Sequence, residues 1–201
     1  MKSHKVNYPV HKLILASSSP FRRELLSRLG LKFDPVSPQV NETSLPDETP
    51  EQIARRLAQS KARSVAADYP NALIIGSDQV AVIGDRIIGK PGNHEKAVDQ
   101  LTRASGQTMK FYTAVCVLNS ATSHMQLDVI PFSVKFRRLD KKTIENYLLR
   151  EKPYDCAGSF KSEGLGIALF ENMSGDDPTA LIGLPLIRLI HMLEQEGVTI
   201  L

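Results

Sequence analysis

Short apolar segments alternate with amphipathic ones along the chain, in the order strand, turn, helix. Residues 12–16 form an apolar run that predicts a first strand. Leu25, Leu26 and Leu29 then recur at helical spacing, and they predict a helix over residues 20–30 that ends at a glycine. This order of elements is typical of α/β proteins.

The same order returns in the next segment. Residues 31–36 predict a second strand, and a Thr-Pro pair marks the start of a helix over residues 50–69. A continuous apolar run over residues 72–76 predicts a strand that is buried on both faces. The chain becomes apolar again over residues 80–83 and then turns back at a glycine and an aspartate, which predicts a hairpin.

The second half of the chain is predicted to add a long hairpin and further helices. Segments rich in β-branched and aromatic residues predict two paired strands at residues 109–119 and 126–137. No linker or repeat interrupts the pattern, which predicts one domain over residues 1–201 with a loose lead-in over residues 1–11. The other predicted elements are helices over residues 94–105, 140–151 and 185–196, a strand over residues 167–170 and a turn at residues 176–178.

Composition and charge narrow the classes of function. Hydrophobic residues make up 42% of the chain, which is enough for a sizeable core. The 25 basic and 22 acidic residues nearly balance, so we expect no nucleic acid and no membrane as partner, whereas a small anionic ligand needs only a local basic cluster. The chain shows neither the apolar core of a signal peptide nor a segment of transmembrane length, and a cytoplasmic protein is expected.

The turn between the first strand and the first helix has the composition of an anion site. The serines Ser17 to Ser19 precede Pro20 and the arginines Arg22 and Arg23, which makes Ser17 and Arg22 candidate substrate ligands. The N-terminus of a helix attracts anions, and the planar fork of arginine matches phosphate oxygens. The alternative is a Ser-Pro helix cap that binds nothing, beside two solvated arginines. The glycine spacing of a P-loop or a dinucleotide fingerprint is absent.

Two carboxylates and two lysines stand out further along the chain. Asp78 interrupts an apolar segment, and a buried carboxylate is costly unless it is paired, hydrogen-bonded or metal-bound, which favours a functional role. Glu42 lies in an acidic loop, where a carboxylate is most often solvated. Lys61 falls on a predicted helix, and Lys90 lies on a tight loop that suits either a phosphate contact or simple turn formation.

Together these groups suit a nucleoside triphosphate with a divalent metal. Mg²⁺ commonly takes one or two protein carboxylates and completes its shell with phosphate oxygens and water. Phosphoryl chemistry needs little more than such positioning and electrostatics. No histidine or cysteine cluster has the spacing of a zinc site, and no nucleophile elbow supports a Ser-His-Asp hydrolase.

Separated blocks of the chain resemble, in order and spacing, the signature blocks of the Maf-type nucleotide pyrophosphatases. The resemblance covers roughly residues 12–195. The blocks are Ala16-Ser17-Ser18-Ser19-Pro20-Phe21-Arg22-Arg23-Glu24-Leu25-Leu26, Ser60-Lys61-Ala62, Ile75-Gly76-Ser77-Asp78-Gln79, Gly89-Lys90-Pro91 and Gly183-Leu184-Pro185.

The resemblance implies an elongated, two-lobed, mixed-sheet α/β fold of the Maf and ITPase-like type, with a central cleft and often a homodimer. It implies cleavage of nucleoside triphosphates between the α and β phosphates, with Mg²⁺, Mn²⁺ or Co²⁺ as cofactor, so that modified nucleotides are removed before they enter nucleic acid. By this resemblance Asp78 is the proton acceptor, directly or through the metal, and Glu42 assists Asp78 in metal binding. Arg22, Lys61 and Lys90 would hold the triphosphate.

Within the family, two segments look like the branch that acts on 7-methyl-GTP: the loop over residues 156–164 and the glutamine that follows Asp78. The branch that prefers dTTP and UTP usually has threonine there, and a preference for such nucleotides is the main alternative. A nucleotide-binding regulator of cell division without hydrolysis is the alternative from another class. The resemblance ties substrate choice to the positions of Phe21, Gln79 and Glu163.

A physical argument supports the 7-methyl-GTP branch. Methylation at N7 leaves guanine with a positive charge, and an aromatic face attracts such a cation by ~0.5–2 kcal/mol. Phe21 or Phe160 is expected to supply that face. We expect Glu163 to accept hydrogen bonds from the base and to add charge attraction, so that it selects the methylated form. The alternative for Glu163 is an ion pair with Lys161 in its own loop.

Overall fold

A computed structural model describes residues 12–201, so the predicted lead-in over residues 1–11 lies outside the described residues. The strands are β1 (Lys12–Ala16), β2 (Asp34–Val36), β3 (Ala72–Ile83), β4 (Arg86–Ile88), β5 (Thr108–Asn119), β6 (Met125–Phe136) and β7 (Phe170–Ser174). The helices are α1 (Pro20–Ser27), α2 (Pro50–Ser64), α3 (His94–Ala104), α4 (Lys141–Glu151), α5 (Pro178–Ile182) and α6 (Leu186–Gln195), with 3-10 turns at Ala66–Asp68 and Leu165–Leu169. The strands form one mixed seven-stranded sheet in the order β2-β1-β3-β5-β6-β7, and β4 pairs with β3. Over the described range, every helix is too short or too polar to cross a membrane.

The strands β3 and β5 form the centre of the sheet. β1 runs parallel to β3 and pairs with residues 72–76, whereas β4 pairs with residues 81–83 from the same side. β5 pairs with β3 from the other side over residues 73–83, so the two predicted strand segments are one continuous strand. Between β1 and β4, residues 77–80 have no neighbouring strand on that side within the described chain, and the sheet is open there.

Helix α2 crosses one face of this sheet at close range. A capping box joins Thr49 and Gln52 at its start. Gly76 of β3 leaves room for it, because a Cβ atom at this position would overlap the carbonyl oxygen of Ala58 and lie 2.9 Å from the amide nitrogen of Ala62. The missing side chain therefore sets how closely α2, and the side chains it carries, approach β3.

The buried apolar side chains form three clusters that divide the molecule into two lobes. Helix α2 packs on one face of β1, β3 and β5, and helices α1 and α6 pack on the opposite face. The third cluster lies at the other end of the sheet, where α3 and α4 pack against the far halves of β5 and β6. This arrangement confirms the predicted two-lobed, mixed-sheet α/β fold.

One edge of the sheet is only partly covered. β7 pairs with residues 133–136 of β6, so the first half of β6 has no outer neighbour among residues 12–201. Pro131 has no N–H group, and the N–H group of Val129 donates to the carboxylate of the adjacent Asp128 at 2.9 Å. Asp128 also forms an ion pair with Arg188 of α6, with 2.8 Å between Oδ2 and Nε. The backbone donors of this half of the edge are thus partly removed or already bound.

Two elements near the C-terminus differ from the prediction. The prediction of a strand over residues 167–170 is wrong, because the chain forms a 3-10 turn at Leu165–Leu169 and the strand β7 begins only at Phe170. Gly166 lies against the backbone of Lys161, which keeps this segment coiled on its own loop. Helix α5 has no counterpart in the prediction, although Asp177 caps it, because five residues are too few to show a helical period.

We predict that Gly76→Ala destabilises the fold, because the new methyl group must push α2 away from β3. The expected loss in the free energy of unfolding is about 3 kcal/mol, at the upper end of what overpacking of a core costs. Urea denaturation measures it. Gly89→Ala is the matched control, because a Cβ atom there meets no neighbour, and its expected effect is within about 0.5 kcal/mol. Equal stabilities for the two variants would contradict the close packing of α2.

Candidate active site

A cleft of about 590 Å³ lies where the two lobes meet, beside the open segment of β3. This volume falls in the range of small-molecule sites. The cleft brings together every residue that the sequence singled out for the site: Ser17, Phe21, Arg22, Glu42, Lys61, Asp78, Gln79, Lys90 and Glu163.

The centre of the cleft is a lysine held between two carboxylates. Lys61 extends from the last turn of α2, and its Nζ lies 2.6 Å from Oδ1 of Asp78 in the open segment of β3. The same Nζ lies 2.7 Å from Oε1 of Glu42. The side chains of Lys61 and Asp78 are only 8% and 12% exposed, so each charge depends on the other for compensation. Asp78 is therefore buried and paired, as its place in an apolar run predicts.

Glu42 reaches this pair from a loop and remains 61% exposed to solvent. Its hydrogen bond with Lys61 lowers the pKa of Glu42 below the usual value, and the charges of Lys61, Arg22 and Lys90 act in the same direction. Partial burial raises this pKa, but its effect is smaller than that of the Lys61 bond. Glu42 is thus a carboxylate that stays ionised beside the buried pair.

A second ion pair fixes the loop that carries Glu42. The guanidinium of Arg56, on α2, donates to both carboxylate oxygens of Glu48, with 2.8 Å between Nη2 and Oε2. Arg56 also donates to the carbonyl oxygen of Thr43 at 3.1 Å, and Glu48 accepts the N–H of Leu45 at 2.8 Å. This bidentate contact, which was not predicted from the sequence, holds the loop against the helix that carries Lys61.

Arg22 is held at the start of α1. Its Nε donates to the carbonyl oxygen of Gly183 at 2.7 Å, and its Nη1 lies 3.5 Å from Oγ of Ser17. Burial lowers the pKa of Arg22, but a guanidinium remains a cation in proteins. Ser19 caps the helix through the amide of Arg22, so much of the donor capacity at this helix N-terminus is already used. Among the described residues, the arginine side chain is therefore the stronger anion ligand of this turn.

The loop that follows α4 also lines the cleft. Glu163 is exposed there, and its only hydrogen bond in the described chain comes from Ser162 at 3.3 Å. The alternative ion pair between Glu163 and Lys161 is not formed, because Lys161 lies 3.9 Å from Glu151 instead. Asp155 also lines the cleft from this loop. Glu163 is thus available to a ligand.

Three phenylalanines, Phe21, Phe111 and Phe160, line the cleft, but they are not equivalent. Phe160 is only 5% exposed and packs edge to face against Phe111, Phe136 and Phe170. Phe21 is half-buried on the first turn of α1. The ring of Phe21 is therefore the better candidate for stacking against a base, and Phe160 belongs mainly to the core.

Cys156 also lines the cleft, partly buried, while Cys116 is fully buried in the core, and both are free thiols. Burial raises the pKa of Cys156 to about 12, and the neighbouring carboxylate of Asp155 acts in the same direction. The Cys156 thiol therefore stays neutral and offers the cleft a small, weakly polar surface rather than a nucleophile.

The carboxylates of Glu42 and Asp78 fit a divalent cation of the Mg²⁺ type better than a metal that takes all of its ligands from the protein. Glu42 and Asp78 both place an oxygen within 2.7 Å of one point, the Lys61 ammonium. Among residues 12–201 no group of three or more His, Cys, Asp or Glu side chains is assembled. Two carboxylates match a hard cation that takes its other ligands from phosphate and water.

Comparisons with known proteins find relatives over nearly the whole of the chain. The family model described as Maf-like protein matches residues 12–196. Curated relatives named 7-methyl-GTP pyrophosphatase from Nitrosococcus oceani and Methylobacillus flagellatus are each 58% identical over 189 residues, which is 94% of this chain and 95% and 98% of theirs. A solved structure, that of the Staphylococcus aureus Ham1 protein, matches 63% of this chain and 72% of its own with a TM-score of 0.46 and 13% identity.

We predict that Lys61→Met raises the pKa of Glu42 towards the ordinary value, because the hydrogen bond from Lys61 is the main cause of its lowering. In the wild type, this contact contributes fully to stability when the pH is above the pKa that Glu42 has in the unfolded chain. The contribution is lost as the pH falls through the lower pKa that Glu42 has in the folded chain. An NMR titration of the Glu42 carboxyl group measures the change. Lys96→Met, on an exposed position of α3, is the control and should leave that pKa alone. An unchanged pKa in Lys61→Met would contradict the contact.

Proposed function

The chain belongs to the Maf family, and on that premise we propose that it hydrolyses 7-methyl-GTP to 7-methyl-GMP and pyrophosphate. The observation that carries this proposal is the polarity of the cleft. The charges of the cations Arg22, Lys61 and Lys90 all act on Glu42, and the loop after α4 contributes the carboxylates Asp155 and Glu163 to the same cleft. A ligand with a cationic base and an anionic triphosphate matches that distribution of charge. The names of the relatives support the same substrate.

At the phosphate end, the proposed chemistry is an in-line attack of water on the α-phosphorus. The carboxylate of Asp78 accepts a proton from the water, the bond from the α-phosphorus to the bridging oxygen breaks, and pyrophosphate leaves. Lys61 holds Asp78 in place for this task through the 2.6 Å contact. Arg22 and Lys90 neutralise the charge that builds up on the departing pyrophosphate.

Glu42 and Asp78 are the residues that would hold a divalent cation, Mg²⁺, Mn²⁺ or Co²⁺, in this proposal. Such a cation, when bound, neutralises phosphate charge and acidifies a bound water. The contact between Arg56 and Glu48 would then position the loop of Glu42 for this purpose.

At the base end, the proposal assigns selection of the methylated base to Phe21, Gln79 and Glu163. The half-buried ring of Phe21 faces the cleft, where it would attract the cationic ring. Glu163, which has no cation as partner among the described residues, would add charge-assisted hydrogen bonds.

The setting of the reaction is also part of the proposal. The enzyme would act in the cytoplasm, where nucleoside triphosphates are used for nucleic acid synthesis, and would remove modified nucleotides before incorporation. A homodimer, as the family resemblance implies, belongs to the same proposal.

We predict that the wild-type protein releases pyrophosphate from 7-methyl-GTP faster than from GTP, UTP or dTTP when Mg²⁺, Mn²⁺ or Co²⁺ is present. Asp78→Asn should reduce turnover by at least about 100-fold, since general base catalysis contributes that much. Asp85→Asn, in the exposed turn after β3, is the control and should remain active. Thermal melts show whether each variant is folded.

The other outcomes decide between the alternatives. Faster release from UTP or dTTP would keep the chemistry and reject the base assignment. No release from any nucleotide, with a folded protein that binds them, would favour the regulator of cell division without hydrolysis. An active Asp78→Asn variant would remove Asp78 from the role of base.

We predict that Glu163→Gln lowers the preference for 7-methyl-GTP over GTP by about fivefold to tenfold. A hydrogen bond to a charged group exceeds a neutral one by about 1 kcal/mol, and only the methylated base is cationic. The ratio of the two kcat/KM values measures the effect. Glu171→Gln, at an exposed position of β7, is the matched control. An unchanged ratio in Glu163→Gln would show that Glu163 does not read the methyl group.

A further inference from the structure

The two carboxylates that suit a divalent cation already share one cation of the protein itself. Nζ of Lys61 lies 2.6 Å from Oδ1 of Asp78 and 2.7 Å from Oε1 of Glu42. These are the same two side chains to which the proposed function assigns the metal. An ammonium group has three donors, so one group can serve both oxygens at once. Lys61 therefore occupies the space between the carboxylates in the manner of a bound cation.

A divalent cation bound to the same two oxygens would need that space. The oxygen ligands of Mg²⁺ lie about 2.1 Å from the metal, so a cation shared by both oxygens would stand within a few ångström of Nζ of Lys61. Two positive charges at such a separation repel strongly, because the Lys61 side chain is nearly excluded from water. The ammonium and the metal are therefore competitors for these carboxylates.

The two contacts of Lys61 differ in how easily they can be broken. Lys61 and Asp78 are both buried, so separating them would leave two charges without compensation. Glu42 is mostly exposed and lies on a loop, so water can replace the ammonium at its carboxylate. The contact between Lys61 and Glu42 is therefore the one that breaks when a cation binds, and the contact with Asp78 is kept.

We propose that Lys61 competes with the divalent cation for Glu42 and Asp78, so that the cleft without nucleotide holds such a cation only weakly. This inference rests on the proposed function in taking these two carboxylates as the metal ligands. A triphosphate changes the balance, because it brings oxygen ligands for the cation and an anionic partner for the ammonium. The cleft thus takes up its cation together with the triphosphate rather than before it.

The test measures the binding of Mn²⁺ alone, without nucleotide. Titration calorimetry is done at about pH 8, well above the ordinary pKa of a carboxyl group. Lys61→Met removes the ammonium and keeps an unbranched side chain. We expect the dissociation constant for Mn²⁺ to fall at least about tenfold, because a nearby positive charge no longer opposes the metal. A purely structural role for Lys61 predicts the opposite sign, since a loosened site would bind Mn²⁺ more weakly.

Two further variants separate the contact from the net charge of the cleft. Lys61→Arg keeps a cation beside Asp78 and should not tighten Mn²⁺ binding by more than about threefold. Lys90→Met removes a charge that acts on Glu42 without a hydrogen bond, and it should tighten Mn²⁺ binding by less than about threefold. Equal tightening in Lys61→Met and Lys90→Met would reduce the effect to net charge and overturn the proposal.

Lys61→Gln is a second variant should Lys61→Met fail to fold, because its amide can still donate to Asp78. It lacks the positive charge, so Mn²⁺ binding should tighten here too. In melts without nucleotide, Mn²⁺ should also raise the Tm of these variants more than that of the wild type, because a tighter ligand stabilises the folded state more. An unchanged or higher dissociation constant in both variants would contradict the proposal.

A failure of this inference and a failure of the proposed function produce different results. Equal binding of Mn²⁺ to the wild type and to Lys61→Met rejects the competition but leaves Glu42 and Asp78 as metal ligands. Binding to neither protein rejects the metal ligands and, with them, the competition. No nucleotide is present in these titrations, so the outcome does not depend on whether 7-methyl-GTP is the substrate.

Discussion

The buried ammonium of Lys61 is the constraint around which the rest of the cleft is built. A cation that is nearly excluded from water needs a partner, and loss of one partner of a buried pair typically costs about 3–5 kcal/mol. Asp78 provides that partner at 2.6 Å, and Glu42 adds a contact at 2.7 Å from the solvent side. The same requirement explains why α2 must approach β3 as closely as Gly76 allows.

The position of Asp78 follows from how the sheet changes direction. β1 and β4 both pair with the same side of β3 but leave residues 77–80 between them without a neighbour in the described chain. The parallel strand β1 ends on one side of this gap, and the antiparallel strand β4 ends on the other. Polar side chains in the gap reach the cleft without breaking the strand, because β5 holds its backbone from the other side.

Much of this fold could be predicted from the sequence, because period and capping are local signals. Asp78 could also be identified as a candidate site residue, because an ionisable group within an apolar run is a local signal too. Helix α5 could not be predicted, since its five residues show no helical period and it is held by hydrogen bonds from Gln79 and Thr113 on distant strands. The contact of Arg56 with Glu48 could not be predicted from the sequence either, because it depends on how a loop without regular structure folds back onto α2.

The partly covered edge of the sheet has a consequence for self-association. An exposed strand usually recruits other strands by offering unpaired N–H groups, which leads to aggregation. In the open half of β6, Pro131 offers none and Asp128 occupies that of Val129. The ion pair with Arg188 further fixes a charge beside this edge. This half of β6 is therefore a poorer template for a further strand than a fully open edge would be.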